Sequence, residues 1–129
     1  MRVALLMVLG LVIGIVGTVF AMNALRERNP FPHAVMVVMS HHLGELRTAV
    51  KAQRCDTNQT REHLTALLSM SADVAPAFPG VEQPFIEAAD HLHGQVQTAL
   101  QTVPADCAAL TAAIKPIGDA CQSCHQKYR

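Results

Sequence analysis

The fold class this sequence predicts is all-α: an antiparallel, up-down-up-down four-helix bundle behind an N-terminal hydrophobic helix. Three observations lead there. Beyond Pro30, four stretches carry apolar residues at alternating three- and four-residue steps, the signature of one buried helix face. The breaks between them are short and hold prolines, glycines or capping residues. Strand-like alternation and hairpin turn pairs are missing from the whole sequence of 129 residues, a length that suits one domain.

The chain opens with Arg2 and an uncharged apolar run from Val3 to Met22. About 20 such residues match a membrane span, whereas a signal-peptide core has about 7–15. Residues 1–22 therefore read as an uncleaved signal anchor. A cleavage-like Val19-Phe20-Ala21 keeps open the alternative of a cleaved signal peptide and a soluble periplasmic product. Either version carries the rest of the chain across the inner membrane into the periplasm. Residues 23–30 read as a short polar linker, and residues 31–129 as the folded domain.

Asn29 can cap the first bundle helix, with Pro30 at its first position. Met36, Met39, Leu43, Leu46 and Val50 form its apolar stripe, and the helix is expected to end near Arg54. Asp56-x-x-Gln59 resembles a capping box and opens the second helix, which buries Leu64, Leu67, Leu68 and Met70. Residues 72–80, with Pro76, Pro79 and Gly80, read as a loop. The third helix carries Phe85, Ala89, Leu92, Val96 and Val103, and Pro104 stops it. The fourth begins at Ala105 or Asp106, with Leu110, Ile114, Ile117, Cys121, Cys124 and Tyr128 in register; Pro116 inside it predicts a kink or a broken turn.

Near the C-terminus stands Cys121-Gln122-Ser123-Cys124-His125, the C-x-x-C-H signature of covalent c-type haem attachment. Two thiols one helical turn apart can each form a thioether with a haem vinyl group, and the following histidine can put a ring nitrogen on the iron. A redox dithiol would follow a strand, and none precedes it. A zinc site needs a second Cys/His pair at matching spacing, which is missing. The expected cofactor is one covalent haem c per chain, with Cys121 and Cys124 as tethers and His125 as the proximal iron ligand. Aromatic residues are scarce (one Tyr, no Trp), which a buried porphyrin would help offset. With Arg2 set apart, nine cations face ten anions, and no basic patch is interleaved with aromatics, so nucleic acid is not an expected partner.

In such a bundle the end of the fourth helix lies beside the start of the first and beside the second-to-third connection. A haem on His125 would therefore face residues near 33–43, 67–78 and 81–89. Met36 and Met39 lie there on the apolar stripe; a thioether opposite histidine raises the reduction potential and suits an electron carrier. Both are also ordinary core residues. His33, His41 and His42 are rivals by chemistry. His91 and His93, two apart, fall on different faces and read as solvent-facing or packing residues.

The run Cys121-Gln-Ser-Cys-His125-Gln-Lys-Tyr128-Arg129 resembles the C-terminal C-x-x-C-H-x-x-[FY]-R of class II cytochromes c, the cytochrome c-prime family, and Ala34-Val35-Met36 followed by His42-Leu43-Gly44 resembles their first helix. The resemblance covers the chain from about Phe31 onward. It implies a four-helix bundle with haem on the last helix, Met36 at the sixth iron position (the low-spin branch), and Arg129 near the haem. It also admits a homodimer. Two departures stand out: Pro32 occupies the position where many members carry a propionate-pairing arginine, and the apparent anchor is unusual in a typically soluble group.

Cys55 and Cys107 fall at the end of the proposed bundle away from the haem, which predicts a disulfide between them. No triad or acid–base pair is evident, so enzymatic activity is not expected. The function these readings predict is one-electron transfer by a membrane-tethered periplasmic cytochrome serving membrane-bound redox partner proteins. The alternative is a gas-binding protein that captures nitric oxide or carbon monoxide at an open or labile sixth position.

Overall fold

The computed structural model describes residues 2–26 and 30–128. The chain divides into two compact units, Met1–Pro30 and Phe31–Arg129. In the first, helix α1 (Arg2–Arg26) is apolar all round, and its stretch Leu6–Ala24 is long and apolar enough to cross a membrane. None of that stretch is buried against protein, as an anchor or signal sequence requires. The expected linker from residue 23 starts too early: Ala24, Leu25 and Arg26 are good helix formers with no breaker among them, and α1 continues through them. The expected cap Asn29 and the haem-proximal Arg129 lie outside the described residues.

The second unit is the helical bundle. It comprises α2 (Pro30–Lys51), α3 (Thr57–Ala72), the single-turn α4 (Val74–Ala77), α5 (Gln83–Gln101) and α6 (Cys107–Tyr128). Helix α3 packs closely on α5, and α5 on α6, while α2 joins through its side chains Val35, Met39, Leu43 and Leu46, all buried. Leu46, Leu64, Leu67, Val74, Val96, Leu110 and Ile117 are almost fully enclosed. At about 25 cal/mol per Å² of apolar surface removed from water, such burial is what holds helices that are individually marginal.

Helix α2 stops at Lys51, three residues before the expected Arg54. Gln53 takes a left-handed backbone (φ 53°). Its N–H donates to the Val50 carbonyl at 3.1 Å, and the Arg54 N–H to the Ala49 carbonyl at 3.0 Å, which closes the helix end in a Schellman motif. That position usually holds glycine, so a glutamine there is silent in the sequence. Helix α3 starts as expected: one Asp56 carboxylate oxygen accepts from the N–H groups of Asn58 (3.0 Å) and Gln59 (2.9 Å). Asp106 plays the same part for α6, accepting from the Ala109 N–H at 2.8 Å.

Three further expectations need correction. Residues 72–80 are not all loop: Val74–Ala77 form a helical turn with Val74 and Ala77 buried. Pro76 is tolerated there because the first residues of a helix have no carbonyl to bond to. The left-handed Gly80 (φ 83°) then turns the chain into α5. Val103, expected on the third helix, lies beyond its end at Gln101. Helix α6 runs unbroken through Pro116, so the broken turn does not occur. Ala112, whose carbonyl loses its donor, is exposed, and water can satisfy it.

Cys55 and Cys107 are joined in a disulfide with their Cα atoms 5.2 Å apart. Each abuts a capping aspartate, so the bond ties the N-terminal ends of α3 and α6 together.

Candidate functional site

A cavity of about 550 Å³ lies between the helices, within the range of ligand and cofactor pockets. From α2 it receives Met36, Met39, Ser40, Leu43 and Arg47; from α3 and α4, Leu67 and Val74; from α5, Ala88, Ala89 and Leu92. Helix α6 contributes Gly118, Cys121, Gln122, Cys124, His125 and Gln126. The apolar stripes of four helices thus converge on a void that their own side chains leave unfilled. The pocket opens to solvent on one side and has a mostly apolar lining, which suits a bound group.

The two free cysteines are half-buried. Burial pushes both thiols above their ordinary pKa; at Cys121 the nearby Arg47 guanidinium opposes the rise and Cys124 adds to it. Both are therefore protonated at neutral pH. His125 is exposed at the rim. The end of α6 that carries these residues is held by an aromatic chain: the Tyr128 ring meets Phe85 edge-on at 5.1 Å between centroids, and Phe85 lies 5.2 Å from Phe78. Such pairs add about 0.5–1.5 kcal/mol beyond the area they bury.

Met36, half-buried, reaches the cavity as the sequence predicts, and so does the deeply buried Met39. The histidine rivals do not: His33, His41 and His42 are absent from its lining. His42 bonds instead to His63 on α3. His91 is exposed and contacts Gln95, while His93 Nδ1 lies 2.8 Å from the buried Ser71 Oγ, so one histidine faces solvent and the other packs. Pro32 lies outside the cavity.

The bundle is similar to a solved cytochrome c′. The crystal structure of cytochrome c′ from Rubrivivax gelatinosus matches with a TM-score of 0.62 and 22% sequence identity, covering 75% of this chain and 90% of that one. The likeness establishes the fold. No protein-family model and no curated protein matches the chain.

Sequence reasoning missed Arg47 and Gly118. The Arg47 guanidinium lies over Gly118, where an added Cβ would stand 2.7 Å from Arg47 Nη2. A signal was present. Arg47 is four residues after Leu43 and eleven after Met36, so it continues one edge of the stripe with a cation where an apolar residue is expected.

Proposed function

We propose that this protein is a c-type cytochrome that carries single electrons. The observation that carries the reading is the cavity itself, which brings Cys121, Cys124 and His125 of α6 together with Met36 of α2 around an apolar space. Its donor set suits a haem: two neutral thiols, each able to add its sulfur to one vinyl carbon and its hydrogen to the other, plus an imidazole and a thioether for the iron. The bound group would supply the ferric–ferrous couple. The chain's own residues do the rest. Cys121 and Cys124 tether, His125 and Met36 ligate, and Leu43, Leu67 and Leu92 keep the space apolar, which bears on the potential through burial. No substrate is transformed. The exposed apolar α1 supports placement at the periplasmic face of the inner membrane, as an anchor or as a signal sequence, with membrane-bound redox proteins as partners.

The flexible thioether of Met36 also supports a second reading, gas binding at a sixth position that Met36 leaves open or yields easily. Absorption spectra of the reduced protein with and without carbon monoxide separate the two. A low-spin spectrum unchanged by carbon monoxide supports the Met36-ligated electron carrier. A ready shift assigns the protein to gas binding.

A further inference from the structure

One cluster of titratable side chains stands apart from the cavity. His42 on α2 and His63 on α3 face each other with Nδ1 to Nδ1 at 2.9 Å, ring centroids 5.2 Å apart and planes at 53°. Neither residue lines the cavity. Both are half-buried, so solvent and ions reach them. A contact of this length between two neutral imidazoles requires one nitrogen to donate its proton to the other's lone pair.

We propose that His42 and His63 form a cross-helix binding site for a divalent transition-metal ion, copper(II) in preference to nickel(II) and zinc(II). Metal-to-imidazole bonds are about 2.0–2.1 Å long, so two ligands at a right angle stand about 2.9 Å apart and two at the tetrahedral angle about 3.3 Å. The observed separation is short enough for both rings, once rotated, to take neighbouring positions on one ion. Copper(II) is preferred because it heads the affinity order for nitrogen ligands. Moving one proton from Nδ1 to Nε2 frees both inward lone pairs without changing the charge, and rotation of each ring aims them at a common point off the N–N line. Burial, then the neighbouring His63 and His41, hold the His42 pKa below its ordinary value, which keeps it unprotonated at neutral pH. Glu62 of α3 and Glu45 of α2 oppose that shift and bring negative charge that favours a dication. His41 is turned toward Glu45, at 3.9 Å. Among the described residues no third His, Cys, Asp or Glu completes a ready-made group, so water fills the remaining positions.

The proposal does not depend on the cavity's occupant, because its residues are separate. The test uses the full-length protein with copper(II) sulfate, read by electron paramagnetic resonance and by equilibrium titration, against His42→Gln, His63→Gln and the double variant. Gln at either position keeps a polar group in the pair, and circular dichroism checks that each variant folds. The wild type is expected to bind one more copper than the double variant, with splitting from two nitrogens. Each single variant loses at least the about ten- to hundredfold that loss of a mere outer-shell partner costs. Nickel(II) follows copper, and zinc(II) is weaker. Affinity falls as the solution is made acid, since protons compete with the metal for ring nitrogens. Equal uptake by the wild type and the double variant overturns the site, because the copper then sits elsewhere. Tighter binding of zinc than of copper overturns the assignment to copper.

Discussion

Removing the Cys55–Cys107 disulfide perturbs the bundle without touching the cavity. The bond spans a sequence separation of 52. A cross-link closing a loop of that length restricts the unfolded chain by about 14 cal/mol/K on the loop-entropy relation, or about 4 kcal/mol at 25 °C. Serine at both positions leaves the adjacent caps, Asp56 and Asp106, in place, so the loss is confined to the cross-link. For the bundle unit of roughly 100 residues, with an unfolding entropy of about 2.1 cal/mol/K per residue, that cost lowers Tm by about 20 °C. The assay is thermal unfolding followed by circular dichroism at 222 nm for the wild type and for C55S/C107S, each non-reduced. A drop of under about 5 °C would refute the reasoning, because the unfolded chain would then have to be equally restricted without the bond.

Three further perturbations follow from the same packing and capping. Phe85→Ala removes a ring that is 5% exposed and touches both Phe78 and Tyr128; urea denaturation should show a loss of about 3–5 kcal/mol, and Phe85→Leu much less. Gln53→Gly relieves the left-handed backbone at the end of α2 and should raise stability by about 0.5–1 kcal/mol, less whatever the Gln53 Nε2 bond to the Val50 carbonyl contributes. Because the folded His42 binds its proton less readily than the unfolded one, its contribution is present above the unfolded pKa of 6.5 and is lost as pH falls below it; denaturation at pH 7.5 and 5.5 should show this loss, and His42→Gln should reduce it.

Much of the bundle was legible because amphipathic periodicity is a local property. The stripes through Leu43 and Leu46, Leu64 and Leu67, Leu92 and Val96, and Leu110 and Ile117 could be read one helix at a time, and each of these residues is buried. The cap Asp56 was legible for the same reason, whereas Asp106 read as a possible first residue of its helix and turns out to cap it. What escaped depends on tertiary context. The end of α2 was hidden because Gln53 adopts a conformation that glycine ordinarily signals. The α4 turn was hidden because Pro76 and Pro79 advertise a loop, while the burial of Val74 and Ala77 that favours a helical turn comes from tertiary packing, with α3 and α5 against it. In the cavity, C-x-x-C-H could be picked out by chemistry, while Met36 stood by position among Met39 and three histidines and was singled out only by the family resemblance. Arg47 left a weaker mark, a cation continuing one edge of the α2 stripe, and its place shows only when Gly118 is seen beneath it. The His42–His63 contact joins residues 21 apart on two helices, and no one-dimensional pattern announces it.

A haem bound covalently through Cys121 and Cys124 underlies the proposed function, and the most direct measurement is whether colour stays with the denatured chain. The protein is produced with export and cytochrome maturation intact, unfolded, extracted with acidified organic solvent and examined by absorption and intact mass. A chromophore and its mass retained by the wild type, and released or absent in C121S/C124S, is the predicted result. A colourless wild-type polypeptide of unmodified mass would contradict the account.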